Sequence, residues 1–465
     1  MRFPIAVLLA ATSLVLTAAL RAAGDRPPDL VIFLADDLSV EDCTPYGNRG
    51  IKSPHMQALA EEGLTFDRAY VASPSCAPSR AALLTARYGL RSGSTFNHQP
   101  VDTGIRRWPS FFQDLGYQVV AIGKVAHYAQ VTSYGFDKAS FYKYHQDACV
   151  EKAVEWLAQR KSRKPLCLFV GTNWPHVPWP VKSKIPPDSL KLPPELADTP
   201  ETRVARARYA AAVGNADRDL GQVRAAVKRH LPEETVFLFT SDHGSQFPFS
   251  KWNLYEAGLR VPLIVSWPGH VAANQRTGAM VSWLDLMPTL MEIAGADPAK
   301  AAPGIDGRSF LPVLKDPAKP HRDRILATHS GDGKFNFFPA RSVRIGRWKY
   351  IRNIDPTLEF HSHVDLASKD TGYWPSWVRD AKDNPKIAAI VQRYLHRPAE
   401  ELYNLESDPD ELVNLVAKSE HADELTRLRG AVDEWMKSLD DHGMATEKAR
   451  RPAPKRKPAD EDQDR

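Results

Sequence analysis

Four stretches of the chain place acids, imidazoles and amines directly after short apolar runs. Asp36 and Asp37 follow residues 30–34, and Lys124 and His127 follow 118–122. Asn173 and His176 follow 166–170, and Asp242 and His243 follow 235–239. Neighbouring carboxylates repel unless a cation stands between them, so Asp36, Asp37 and Asp242 read as three hard oxygen donors. The competing reading of Asp36-Asp37 is a cap on a following helix. His243 is the one nitrogen donor in the set and no thiolate accompanies it, which favours calcium or magnesium over zinc.

A nucleophile candidate lies in Ser73-Pro74-Ser75-Cys76-Ala77-Pro78-Ser79-Arg80, ahead of the helical pattern Ala81-Ala82-Leu83-Leu84-Thr85. Pro78 suits an early helical position, so Cys76 is expected near a helix N-terminus, where anions are favoured. Arg80 adds a fixed positive charge one turn along. The alternative is an inert thiol in a turn. Cys43, Cys149 and Cys167 complete a set of four cysteines, too sparse for a disulfide scaffold in 465 residues. Cys167 reads as a packed core thiol, and Cys43 with Cys149 as a candidate pair.

These residues need a frame that brings them together. Continuous apolar runs at 30–34, 118–122, 166–170, 235–239 and 261–265 read as strands buried on both faces. Helical patterns at 53–62, 79–86 and 203–228 separate them. The expected fold is α/β, a large mostly parallel sheet sandwiched by helices. Such sheets bind ligands at the carboxyl ends of their strands, so the four polar sets should face one site. The Pro-rich stretch 186–200 reads as a surface excursion. Beyond about residue 340, 344–351 looks like a hairpin turning at Gly346. Leu425, Leu428, Val432, Trp435 and Leu439 fall at helical spacing, indicating a small antiparallel α+β subdomain. The expected organisation is a signal peptide at 1–23, a catalytic domain at 27–338, the subdomain at 339–444 and a disordered charged tail at 445–465.

Hydrophobic residues at 43% and charged residues at 25% are those of a globular enzyme. The net charge of +5 is left by 61 basic against 56 acidic residues, with no basic cluster interleaved with aromatics, which argues against nucleic acid as a partner. Arg2, the apolar run 5–16 and Thr17-Ala18-Ala19 form an export leader, placing the mature chain in a periplasm or outside the cell, or in a lysosome if eukaryotic. No later run is long enough to span a membrane.

Cys76-Ala77-Pro78-Ser79-Arg80 with its following helix resembles the signature of type I sulfatases, the formylglycine-dependent family within the alkaline phosphatase superfamily. The likeness of motif order runs over nearly the whole mature chain. It implies that a formylglycine-generating enzyme oxidises Cys76 to formylglycine. It also implies a metal, usually calcium and less often magnesium, held by Asp36, Asp37, Asp242, His243 and an oxygen of the modified Cys76. Arg80 would brace the aldehyde, while Lys124, His127, His176 and Lys251 would surround the sulfate. His176, with Lys251, would protonate the leaving atom and His127 would deprotonate the second hydroxyl of the hydrated aldehyde.

The implied substrate is a sulfated carbohydrate. Phe247-Pro248-Phe249 ahead of Lys251-Trp252-Asn253-Leu254-Tyr255 resembles the heparan N-sulfatase branch. So do Pro339-Ala340-Arg341-Ser342-Val343-Arg344 and Glu401-Leu402-Tyr403-Asn404-Leu405 with Asp408-Pro409. His243 in place of asparagine, and the three-residue step from Lys124 to His127, resemble the iduronate-2-sulfatase branch instead. Lys251 replaces an arginine of the N-sulfatases, so cleavage of N–S and of O–S bonds both stay open. His98, His329 and Arg341 are expected sugar contacts. Two other readings remain: a phosphonate or phosphomonoester hydrolase of the same superfamily, and a secreted glycan-binding pseudoenzyme with unmodified Cys76. The sequence does not set the oligomeric state.

Overall fold

The computed structural model describes residues 26–142 and 148–452. The expected leader, and residues 453–465 of the expected tail, lie outside the described residues. The main sheet has eight strands in the order β4-β3-β5-β1-β6-β7-β2-β8. In chain order they are β1 (Leu30–Asp36), β2 (Leu64–Tyr70), β3 (Gln118–Gly123), β4 (Lys138–Ser140), β5 (Leu166–Pro175), β6 (Val236–Ser241), β7 (Leu263–Ser266) and β8 (Gln275–Ser282). Every residue of β1, β5, β6 and β7 is buried, as continuous apolar runs require when helices cover both faces. Each fully buried Leu, Ile or Phe in such a strand contributes roughly 1.5–3 kcal/mol.

Parallel pairing joins β4, β3, β5, β1 and β6, and also β2 with β8. β7, built on the expected run near 261–265, lies antiparallel to both neighbours. The decisive feature is the adjacency β3-β5-β1-β6. It sets side by side the carboxyl ends of the four strands whose following residues carry acids, imidazoles and amines. The helix Pro200–His230 packs against β5. The Thr199 side chain caps it by accepting from the Thr202 N–H, and Lys228, Arg229 and His230 complement its C-terminal dipole.

A second, antiparallel sheet has the order β12-β11-β10-β9, from β9 (Arg324–Asp332), β10 (Asn336–Ile345), β11 (Trp348–Asn353) and β12 (Glu400–Asn404). Gly346, at φ +59°, makes the β10–β11 turn where the hairpin was expected. The helix Ala422–Ser438 lays Leu425, Leu428 and Val432 on Val343, Trp348, Tyr350 and Leu402.

Three expectations are corrected. The small sheet begins at Arg324, upstream of the expected boundary at 339. The tail expected to be disordered from 445 starts with a helix, Met444–Arg450, because Glu447 is buried against Arg341. Cys43 and Cys149 form no disulfide: all four cysteines are buried thiols, and Cys43 Sγ faces the Ser39 carbonyl. Among the described residues no helix is long and apolar enough to cross a membrane.

Candidate active site

At the carboxyl end of β1 the chain turns sharply, with Asp37 at φ +66°. The Asp37 N–H donates to Asp242 Oδ1 (3.1 Å) and the Leu38 N–H to Ser241 Oγ (3.0 Å), which ties the ends of β1 and β6 together. The helix Cys76–Thr85 points its first turn at this junction, and Ser79 Oγ donates to the Asp242 carbonyl at 2.6 Å. Lys124 enters from β3. Its N–H donates to the Gly171 carbonyl (2.9 Å), an approach that only glycine permits, since a Cβ on Gly171 would lie 2.2 Å from Lys124 O.

Ligand atoms of Asp37, Cys76, Asp242 and His243 all lie within 4.8 Å of one another, and all four side chains are buried. Asp36 flanks this group. One of its oxygens is 3.9 Å from Cys76 Sγ, but the carboxylate is engaged by Lys124 Nζ (2.5 Å) and Arg80 Nη2 (3.1 Å). Arg80 Nε also holds Asp242 Oδ2 at 2.9 Å, and Lys251 Nζ donates to both Asp37 oxygens at 2.9 and 2.8 Å. His176 Nε2 stands 3.8 Å from Asp37 Oδ2.

The electrostatics are unsettled in an informative way. Burial lifts the Asp36 and Asp37 carboxyls above the usual range against the pull of Lys124 and Lys251, with the neighbouring acids adding to the rise. Burial acts on Asp242 too, but the Arg80 guanidinium, with Lys124 adding to the pull, holds it well below that range. Burial, then the adjacent carboxylates, pushes the Cys76 thiol up, although Lys251 and Lys124 oppose the rise. An unmodified Cys76 is therefore a neutral thiol and a poor nucleophile. His243 is held neutral by burial, and its Nδ1 is 2.9 Å from the Gly244 carbonyl, which fixes the N–H there. Its Nε2 lone pair then faces Asp37 Oδ1 at 3.5 Å, Asp242 Oδ2 at 3.6 Å and Cys76 Sγ at 3.2 Å. A lone pair aimed at two carboxylates is repulsive without a cation, so the donor set fits a divalent metal.

The other site candidates separate. His127, buried, places Nε2 2.8 Å from Nδ1 of His98, which stands at the mouth with 56% of its side chain exposed. His329 and Arg341 do not present themselves to a sugar. His329 is 2% exposed with Nε2 on Asn336 Oδ1 at 2.6 Å. Arg341 is fully buried between Asp441 and Glu447, each at 2.6 Å. Both expected sugar contacts are corrected to interior structural roles.

One residue escaped sequence reasoning. Asp332, at the end of β9, is 2% exposed and gathers Asn97 Nδ2 (2.9 Å), His363 Nε2 (3.2 Å), Trp252 Nε1 (3.3 Å) and His98 Nε2 (3.4 Å). Asn97 also accepts the Ala77 N–H at 3.0 Å, so Asp332 reaches the first turn of the Cys76 helix through one side chain. In sequence it is an aspartate between Gly331 and Gly333, indistinguishable from a turn residue. A left-handed backbone recurs around the site at Asp37, His98, Tyr128 and Trp252, each a conformation costing of order 1–3 kcal/mol for a side chain to hold.

A mostly parallel sheet that presents buried acids, an imidazole and a helix-borne residue at its carboxyl edge is the architecture of the alkaline phosphatase-like hydrolases. Residues 28–296 match the family model described as Sulfatase, and residues 243–394 match one described as N-sulphoglucosamine sulphohydrolase, C-terminal. The chain belongs to the sulfatase family, and its chemistry is that of a sulfuric ester hydrolase. It is 28% identical over 428 residues to an ulvan-active sulfatase of Formosa agariphila, covering 89% of this chain and 81% of that one. It is also 28% identical over 466 residues to the human N-sulphoglucosamine sulphohydrolase, covering 88% and 90%. The phosphonate monoester hydrolase of Agrobacterium radiobacter shares the fold with a TM-score of 0.68 at 17% identity, covering 90% and 97%.

Proposed function

We propose that this protein is an exported sulfatase that removes sulfate from a sulfated saccharide, with residue 76 as formylglycine and a divalent metal, calcium first, as cofactors. The observation that carries the reading is the buried group of Asp37, Cys76, Asp242 and His243 within 4.8 Å, ringed by Arg80, Lys124 and Lys251. When present, the metal and the hydrated aldehyde supply an acidified hydroxyl for attack on sulfur.

The chain's own residues do the rest. Arg80, bridging Asp36 and Asp242, keeps the acids apart and fixes the first turn of the Cys76 helix. Lys124 and Lys251 offset the charge on sulfuryl oxygens. His176 Nδ1 donates to the Val177 carbonyl at 2.7 Å, which turns Nε2 toward Asp37, and as the imidazolium, with Nε2 also protonated, the ring shares the acid role toward the leaving atom with Lys251. His127 takes a proton from the reaction centre. Asp36, whose carboxylate anchors Lys124, would add an oxygen to those of Asp37 and Asp242 that would hold the metal.

A saccharide substrate is supported by the names of the two curated relatives, one ulvan-active and one acting on N-sulphoglucosamine. The deciding test is the mass of the Cys76 peptide from the exported protein, joined to rates on an aryl sulfate, an aryl phosphate and N-sulfoglucosamine. A lighter, aldehyde-bearing peptide with a preference for sulfate is expected. An intact thiol in a turning-over enzyme would sink the reading, and a preference for phosphate would move it to the phosphomonoester class.

A further inference from the structure

The contacts behind His127 determine which of its ring nitrogens is bare. A carboxylate oxygen can only accept, so Asp332 Oδ1, 3.4 Å from His98 Nε2, favours a proton on that nitrogen. His98 Nδ1 is then an acceptor, and at 2.8 Å it takes the N–H of His127 Nε2. His127 Nδ1 is left without its proton, and it is a buried atom with no hydrogen-bond partner among the described residues. Burial, then His98 and Lys124, keeps the His127 ring well below the ordinary imidazole value. Asp332 is itself held ionised: burial would raise its carboxyl, but the hydrogen bonds from His363 and His98 hold it well below the usual range.

We infer that Asp332 and His98 are positioning residues that hold His127 in the tautomer with a bare Nδ1, making that atom the proton acceptor of the reaction. The inference rests on the reading of His127 as the base. A hydroxyl O–H at the reaction centre breaks as an N–H forms at Nδ1. The imidazolium keeps its Nε2–H on His98, backed by the Asp332 charge, and Nδ1 returns its proton to water before the next turnover. The arrangement gives His98 a role in the chemistry that requires no contact with sugar.

Asp332→Asn makes a sharp test because three donors, from Asn97, Trp252 and His363, converge on Oδ2. The single amide oxygen goes to them, and the amide NH2 turns to His98. That donor reverses the chain: His98 Nε2 accepts, His98 Nδ1 donates, and His127 carries its proton at Nδ1. Long-range proton–nitrogen spectra of the 15N-histidine-labelled protein read the tautomers directly and need no turnover. The wild type is expected to show His127 protonated at Nε2, and the variant at Nδ1. On an aryl sulfate, which has no sugar, both Asp332→Asn and His98→Ala should lower kcat by roughly 10²-fold or more with little change in KM. A wild-type proton on Nδ1, an unchanged tautomer in the variant, or a His98→Ala effect confined to KM for saccharides would each overturn the inference. Tautomers as stated, with no turnover on any sulfate, would uphold the hydrogen-bond chain and sink the functional reading instead.

Discussion

Two buried charge clusters in this molecule use similar groups to different ends. In the small sheet, Arg341 lies between Asp441 and Glu447, with Ser330 Oγ donating to Glu447 at 2.9 Å. One cation meets two carboxylates, and among the described residues no thiol or imidazole ring is hydrogen-bonded to the three charged groups. At the edge of the main sheet, Arg80, Lys124 and Lys251 meet Asp36, Asp37 and Asp242, but a thiol and the His243 lone pair are packed among them. There the burial of like charges lifts two carboxyls and leaves an acceptor facing acceptors. The first cluster clamps a C-terminal helix onto the sheet. The second is a place prepared for something else, distinguished by the thiol and the imidazole lone pair packed among its charges.

The comparison can be broken in order of size. Cys76→Ala should abolish turnover of an aryl sulfate, by on the order of 10⁴-fold or more, with thermal unfolding unchanged. Retained activity would reduce the main cluster to a structural one. Exhaustive chelation should lower the rate by about 10³-fold and calcium should restore it, as expected of an ion worth several kcal/mol to the transition state. An enzyme shown by elemental analysis to be metal-free and fully active would refute the donor assignment. Arg341→Met should do the reverse, costing about 3 kcal/mol in urea unfolding because two carboxylates lose their cation, while kcat per folded molecule is kept. A raised KM for saccharides in that variant would return Arg341 to the substrate. Glu447→Gln should cost only about 1 kcal/mol, since the amide still accepts from Arg341, and should leave activity unaltered.

The legible parts of the fold were those with a one-dimensional signature. The run 30–34 reads as a doubly buried strand because both faces are covered, and Ala422–Ser438 reads as a helix because its apolar stripe has helical spacing. β2, with Asp67 and Arg68 between apolar residues, and β8, with exposed Gln275 and Arg276, carry no such signature and were missed. Arg341 was misjudged for a related reason. A charged residue in a strand looks available until its partners arrive from 100 and 106 positions away. The helix Met444–Arg450 was lost with it, since Glu447 is what anchors that otherwise polar segment.

The sequence by itself determined the chemistry on offer: acids, amines and imidazoles at the ends of buried strands, and a cysteine in the first turn of a helix with an arginine one turn along. Composition and local periodicity carry that much because they act over a few residues. The tertiary structure alone decided that β3, β5, β1 and β6 are neighbours, so that the four sets share one site. It alone brought Asp332 behind His98, and it alone turned Arg341 inward. Each of these depends on which distant segments pack together, and pairwise contacts across more than a hundred residues leave no mark in the local pattern.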